Sequence, residues 1–123
     1  MLPSSQTSAL DCVIAEAIAR QLQTNPSLGD FKNISSMELV GVIDDLVRAY
    51  TKWAAGNQSQ VAEYSSYFAN LCFRLSIPMV EAAYALFLIR DELTAEGEKP
   101  RSKVYPRLTD FFNLVTLDLL ERC

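Results

Sequence analysis

Histidine does not occur in this chain of 123 residues. Its absence removes the side chain whose charge changes near neutral pH, the most frequent general base and the most frequent metal ligand. It also removes the usual axial ligand of haem iron and the phospho-acceptor of a histidine kinase. Glycine is scarce, and Gly29, Gly41, Gly56 and Gly97 stand far apart. No glycine-rich loop can bring several backbone N–H groups against a phosphate, so neither the P-loop nor the dinucleotide fingerprint is present. Three cysteines, Cys12, Cys72 and Cys123, contain no CxxC pair, which suits reduced thiols better than a disulfide framework. No apolar run approaches the roughly 20 residues of a membrane span; the most apolar stretch, residues 82–89, ends at Arg90, Asp91 and Glu92. Residues 1–6 lack a basic segment followed by an apolar core, so no secretory signal is expected and the chain reads as cytoplasmic.

Positive charge is also in deficit, with 11 Lys and Arg against 15 Asp and Glu and a net charge of -4. Nucleic-acid binding draws its affinity from lysines and arginines that displace counterions from phosphates, and this balance has the wrong sign. One basic stretch, Lys99, Arg101, Lys103 and Arg107, follows Glu96 and Glu98 and reads as a solvated inter-helix loop. Acid–base pairs are missing as well. Asp44 and Asp45 are adjacent, as are Asp91 and Glu92, and neighbours on a helix point about 100° apart rather than converging. The cysteines have no histidine to activate them. The expectation is a protein that is not an enzyme, with no cofactor, no metal and no nucleic-acid partner.

What the sequence does have is apolar side chains at helical spacing. Half the residues are hydrophobic and 21% are charged, and a chain of this length buries roughly two-thirds of its unfolded surface. Five segments repeat at three and four residues. Leu10, Val13, Ile14, Ala17, Ile18 and Leu22 mark the first, with Ser8 as a cap and Asn25-Pro26 as its end. Ser35-x-x-Glu38 opens the second as a capping box, Leu39, Ile43, Leu46, Tyr50 and Trp53 carry it, and Gly56 closes it. Asn57 caps a third with Val61, Tyr64, Phe68, Leu71, Cys72 and Leu75. Ser76-Ile77-Pro78 breaks the chain before a fourth helix, apolar nearly all round, that Gly97 stops. The fifth begins at residues 102–106 and carries Val104, Leu108, Phe111, Val115 and Leu119. No segment alternates as strands do. The fold expected is all-α, one compact bundle of about five mostly antiparallel helices over residues 1–123, with 1–7 as a flexible tail.

Two residue groups stand out beyond core-building. Tyr84, Phe87 and Arg90 fall along one flank of the fourth helix by three-residue steps, and Tyr67 sits at the rim of the third. These four are the candidate contacts for a partner or for a small acidic or planar ligand, held in a pocket between the third and fourth helices; the bland alternative is a central core helix with Arg90 at its edge. The fifth helix carries more apolar surface than one core stripe needs. Phe112, Leu117 and Leu120 are therefore the candidate dimer surface.

Residues 34–96 carry a family resemblance. The Ile-Ser-Ser-x-Glu-Leu opening leads to Ala-Tyr-Thr-Lys-Trp-Ala-Ala-Gly-Asn (residues 49–57). Phe-Arg-Leu-Ser-Ile-Pro-Met-Val-Glu (73–81) then precedes Ala-Leu-Phe-Leu-Ile-Arg-Asp-Glu-Leu (85–93). This pattern resembles the helical N-terminal domain of RsbR-type co-antagonist proteins, which stands before bacterial signalling outputs. The resemblance implies a sensory or dimerising regulatory domain of stress-response signalling that acts on protein partners, as a homodimer, with no catalytic residue. No output domain follows Cys123, so a stand-alone relative or an excised piece is expected.

Overall fold

The computed structural model describes residues 12–99 and 105–122. Among these residues five α-helices follow in order: α1 (Cys12–Thr24), α2 (Ser36–Ala54), α3 (Gln60–Arg74), α4 (Met79–Gly97) and α5 (Leu108–Glu121). Two 3-10 turns, Pro26–Leu28 and Phe31–Asn33, join α1 to α2. Among the described residues there is no strand. The protein is an all-α bundle, as the helical spacing predicts.

The core stripe of α1 differs from the expected one. Ala15, Ile18, Ala19 and Leu22 are buried, while Val13 and Ala17 face outward. Small alanines let α1 lie close to its neighbours, so the stripe centres on them rather than on the larger Val13. The predicted cap Ser8 and the first stripe residue Leu10 lie outside the described residues, as do the 1–7 tail and Val104. After α1, the Asn25 side chain accepts from the Ser27 N–H at 2.8 Å and Pro26 starts the first 3-10 turn. Leu28, Phe31 and Ile34 from this connection enter the core. Gln23 fixes both sides of it: its amide donates to the Ile34 carbonyl at 2.9 Å and accepts from the Ser36 hydroxyl.

Ser35 caps α2 by accepting from the Glu38 N–H at 3.1 Å, and the Glu38 carboxylate reaches Arg74 near the end of α3 at 3.5 Å. That pair spans the first turn of α2 and the last of α3, as it can only when the two helices run antiparallel. Gly56 closes α2 at φ +116, where a left-handed residue lets Gly56 N–H and Asn57 N–H turn back to the Trp53 and Lys52 carbonyls. Asn57, expected as the cap of α3, instead accepts from the Ser59 N–H, and α3 starts three residues later with Ser59 at its N-cap. At the other end of α3, Ser76 takes the same left-handed turn at φ 57. Its N–H bonds Phe73 O, and Ile77 N–H bonds Cys72 O at 2.8 Å.

α5 packs between α3 and α4. It begins after Pro106, later than expected, because Arg107 adopts φ 60 and forms its N-cap. Its first turn lies by α2, where the Tyr50 hydroxyl donates to the Pro106 carbonyl and the Arg107 guanidinium covers the Trp53 ring at 4.6 Å. At its far end Arg122 donates to the Ala62 carbonyl of α3 at 3.2 Å. Phe111 stands between Tyr50 and Trp53, with ring centroids 5.9 and 5.3 Å away; such tilted and edge-on pairs add about 0.5–1.5 kcal/mol beyond burial. The interior is one cluster to which all five helices contribute.

Candidate functional site

α4 has more apolar residues than one buried stripe can use. Ala82, Ala85, Leu86, Ile89 and Leu93 enter the core. Val80, Tyr84 and Phe87 follow one another at four- and three-residue steps, which puts them on one outward flank. They are 75%, 37% and 45% exposed. On α5, Leu117 and Leu120 are 59% and 46% exposed. α4 and α5 run side by side, so these side chains form one apolar face.

A groove of about 330 Å³ runs between the two helices. Leu86 and Phe112 form its buried floor, with Ala83 beside them; Phe87 and Leu117 are its rims. Its polar fixtures are Asn113 and Thr116 on α5 and Arg90 on α4. Tyr84 stacks on Phe87 with centroids 6.3 Å apart and planes 12° from parallel. The Arg90 guanidinium carbon lies 4.5 Å from the Phe87 centroid. Stacking and cation–π attraction thus line Tyr84, Phe87 and Arg90 along the helix. Arg90 makes no ion pair among the described residues.

Three sequence expectations need correction. The hollow beside Tyr84, Phe87 and Arg90 opens between α4 and α5, not between α3 and α4, because α5 packs against both and turns that flank of α4 toward itself. Phe112 is not a surface residue: it is 2% exposed and meets Phe111 edge-on at 6.1 Å. Of the candidate dimer residues, Leu117 and Leu120 alone face solvent. Tyr67 is apart from the other candidates. It borders a shallow hollow of about 220 Å³ between α2 and α3, with Asp45, Arg48 and Lys52. Burial, Asp45 and Glu38 raise its phenol above the ordinary range. Tyr64 is a core residue as expected, buried with its hydroxyl donating to the Val42 carbonyl at 2.9 Å.

Sequence reasoning missed two features. Val13 and Met37 are exposed, and Met37 lines a second groove of about 370 Å³ between α1 and α2, with Arg20, Gln23 and Val40. The stripe drawn through Val13 hid that surface. Ser65, fully buried on α3, meets Asp118 and Arg122 of the α5 end. Asp118 and Arg122, an opposite-charge pair four residues apart at the helix end, were the available signal.

Among the described residues the reactive side chains do not assemble. Burial pushes the Cys72 thiol up to about 12, so it stays protonated and weakly nucleophilic. Asp44 turns to Arg48 at 3.0 Å, while partial desolvation and the neighbouring Asp44 raise the Asp45 carboxyl above its ordinary value. Among the described residues no group of His, Cys, Asp and Glu could hold a metal ion, and no helix is long and apolar enough to cross a membrane. No family model, curated protein or solved structure matches the chain.

Proposed function

We propose that this chain is a regulatory module of bacterial signalling, cytoplasmic and non-enzymatic, which acts by self-association and by contact with a protein partner. One observation carries the reading: Val80, Tyr84, Phe87, Leu117 and Leu120 stand exposed on a single α4–α5 face. Isolated surface leucines are ordinary, but neighbouring large apolar side chains on two packed helices mark a surface that another molecule covers. The resemblance of residues 34–96 to RsbR-type domains supports the same assignment from sequence. Helix faces suit a signalling role because a small shift between two packings changes what a partner meets.

Sedimentation equilibrium from about 1 to 200 µM tests this. A monomer–dimer equilibrium is expected, and Leu117→Glu with Leu120→Glu should make the protein monomeric without unfolding it. A wild-type monomer at every concentration would remove self-association from the reading.

A further inference from the structure

We propose that the α4–α5 groove is a binding site for a small amphiphilic monocarboxylate, an apolar or aromatic body bearing one carboxylate, with Arg90 as the anion anchor. The inference goes beyond association and rests on the groove's own chemistry.

The first observation is the state of Arg90. Four other arginines, Arg48, Arg74, Arg107 and Arg122, each have a carboxylate within 3.5 Å, and Arg20, which has no ion pair among the described residues, is exposed to solvent. Arg90 is partly buried at the wall of an apolar groove and has none among the described residues. A guanidinium in that setting has given up water without gaining an anion, and a carboxylate delivered there makes charge-assisted, bidentate hydrogen bonds. Phe87 holds the guanidinium in place from one side, so little side-chain freedom is left to lose on binding.

The second observation is the shape and lining. About 330 Å³ gives room for roughly ten non-hydrogen atoms at about 30 Å³ each. The floor of Leu86 and Phe112 and the rims of Phe87 and Leu117 ask for an apolar body, and the Phe87 ring offers a stacking surface for an aromatic one. The single cation sets the charge at one. A phosphate dianion is a poor fit, since one guanidinium and no nest of backbone N–H groups faces the groove. Asn113 and Thr116 on the opposite wall can bond the second carboxylate oxygen or a ring substituent. Phe87 and Leu117 belong to both groove and outer face, so a ligand seated between them alters the surface offered to a partner.

4-Phenylbutanoate is the test probe, with 4-phenylbutanol and 4-phenylbutylammonium as matched controls, followed by methyl and amide NMR shifts and by thermal melting. The carboxylate is expected to bind saturably below about 1 mM, to raise the melting temperature, and to shift signals of Leu86, Phe112 and Leu117. The two controls should bind at least tenfold more weakly. Arg90→Gln should lose tenfold or more, and Ala83→Leu, which fills the groove from its apolar wall, should lose binding while its melting curve stays cooperative. Equal binding of acid and alcohol, unchanged affinity in Arg90→Gln, or no saturable binding up to about 10 mM overturns the site. Sedimentation of the same samples separates the two readings. Leu120 lies outside the groove lining, so if the wild-type dimer does not bind the probe and a Leu120→Glu monomer does not bind it either, the carboxylate proposal fails while self-association stands. A wild-type monomer that binds the probe gives the reverse result.

Discussion

The buried Ser65 hydroxyl donates to the Asp118 carboxylate, joining the second turn of α3 to the last turn of α5. Arg122 completes the cluster, with Nε 2.9 Å from the Ser65 oxygen and 3.0 Å from the carboxylate. The Ser65 hydrogen bond and then Arg122 hold the Asp118 carboxyl below its ordinary value of 3.8, against the opposing effect of burial. The sign of the pH dependence follows. The folded state binds fewer protons than the unfolded one between the lowered value and 3.8, so stability rises with pH through that window. The contribution is complete above about pH 5 and disappears as pH falls through the folded value. Asp118→Asn should cost about 1 kcal/mol at pH 7, the scale of a partly exposed charge-assisted bond. Urea unfolding from pH 7 to pH 2.5 should show the gap between the two proteins closing below pH 4; a gap that stays constant would contradict the assignment.

Two left-handed turns make opposite predictions from the same geometry. Gly56 sits at φ +116 with open space where a Cβ would go, so Gly56→Ala meets no clash and pays only for the backbone conformation, about 1–2 kcal/mol. Ser76 already carries that strain at φ 57, and its N–H and that of Ile77 still close the helix end. Ser76→Gly should stabilise the protein by about 0.5–1 kcal/mol. Thermal unfolding of both variants decides it, and a destabilised Ser76→Gly would mean that the serine side chain has a role its geometry does not reveal.

Phe87 and Phe112 border the same groove but differ in burial, at 45% and 2% exposed. Phe112→Ala should cost about 3–5 kcal/mol through lost burial and a cavity. Phe87→Ala should cost under about 1 kcal/mol of stability yet weaken self-association and carboxylate binding. Chemical denaturation beside sedimentation separates the two effects. Equal destabilisation by both variants would place Phe87 in the core instead of on the functional face.

Periodicity sufficed for the helices because each buries a stripe regardless of its neighbours: Leu39, Ile43, Leu46, Tyr50 and Trp53 are all buried at the predicted spacing. It did not suffice where two sets of apolar residues compete for one core. Phe112 and Leu117 both read as surplus on α5, and only the packing of α5 between α3 and α4 decides that Phe112 goes in and Leu117 out. The groove failed to show for the same reason, since three-residue steps assign Tyr84, Phe87 and Arg90 to a flank but not to a neighbour. Helix starts moved where backbone outliers intervened: no pattern of side chains announces the left-handed Arg107 that delays α5. Ser65 sat on the α3 stripe as a polar exception, and its partner lay 53 residues away.

Trp53 offers the last test. Its ring is packed between Phe111 and the Arg107 guanidinium, and it is 2% exposed, but its indole N–H is buried with no hydrogen-bond partner among the described residues. An unmet buried donor costs about 1–3 kcal/mol, whereas shrinking a core aromatic costs a similar amount through the void it leaves. Trp53→Phe removes both the donor and part of the ring, so the two terms offset and stability should change by less than about 1 kcal/mol. Trp53→Ala deletes the packing without compensation and should cost about 3–5 kcal/mol. Arg107→Ala takes away the cation over the ring, worth about 0.5–1 kcal/mol at an exposed site. Since Trp53 is the single tryptophan, Arg107→Ala should also change its emission, read directly by fluorescence. A loss above about 2 kcal/mol in Trp53→Phe would mean that the indole N–H is satisfied after all, most simply by a trapped water, and the bond should then be sought there.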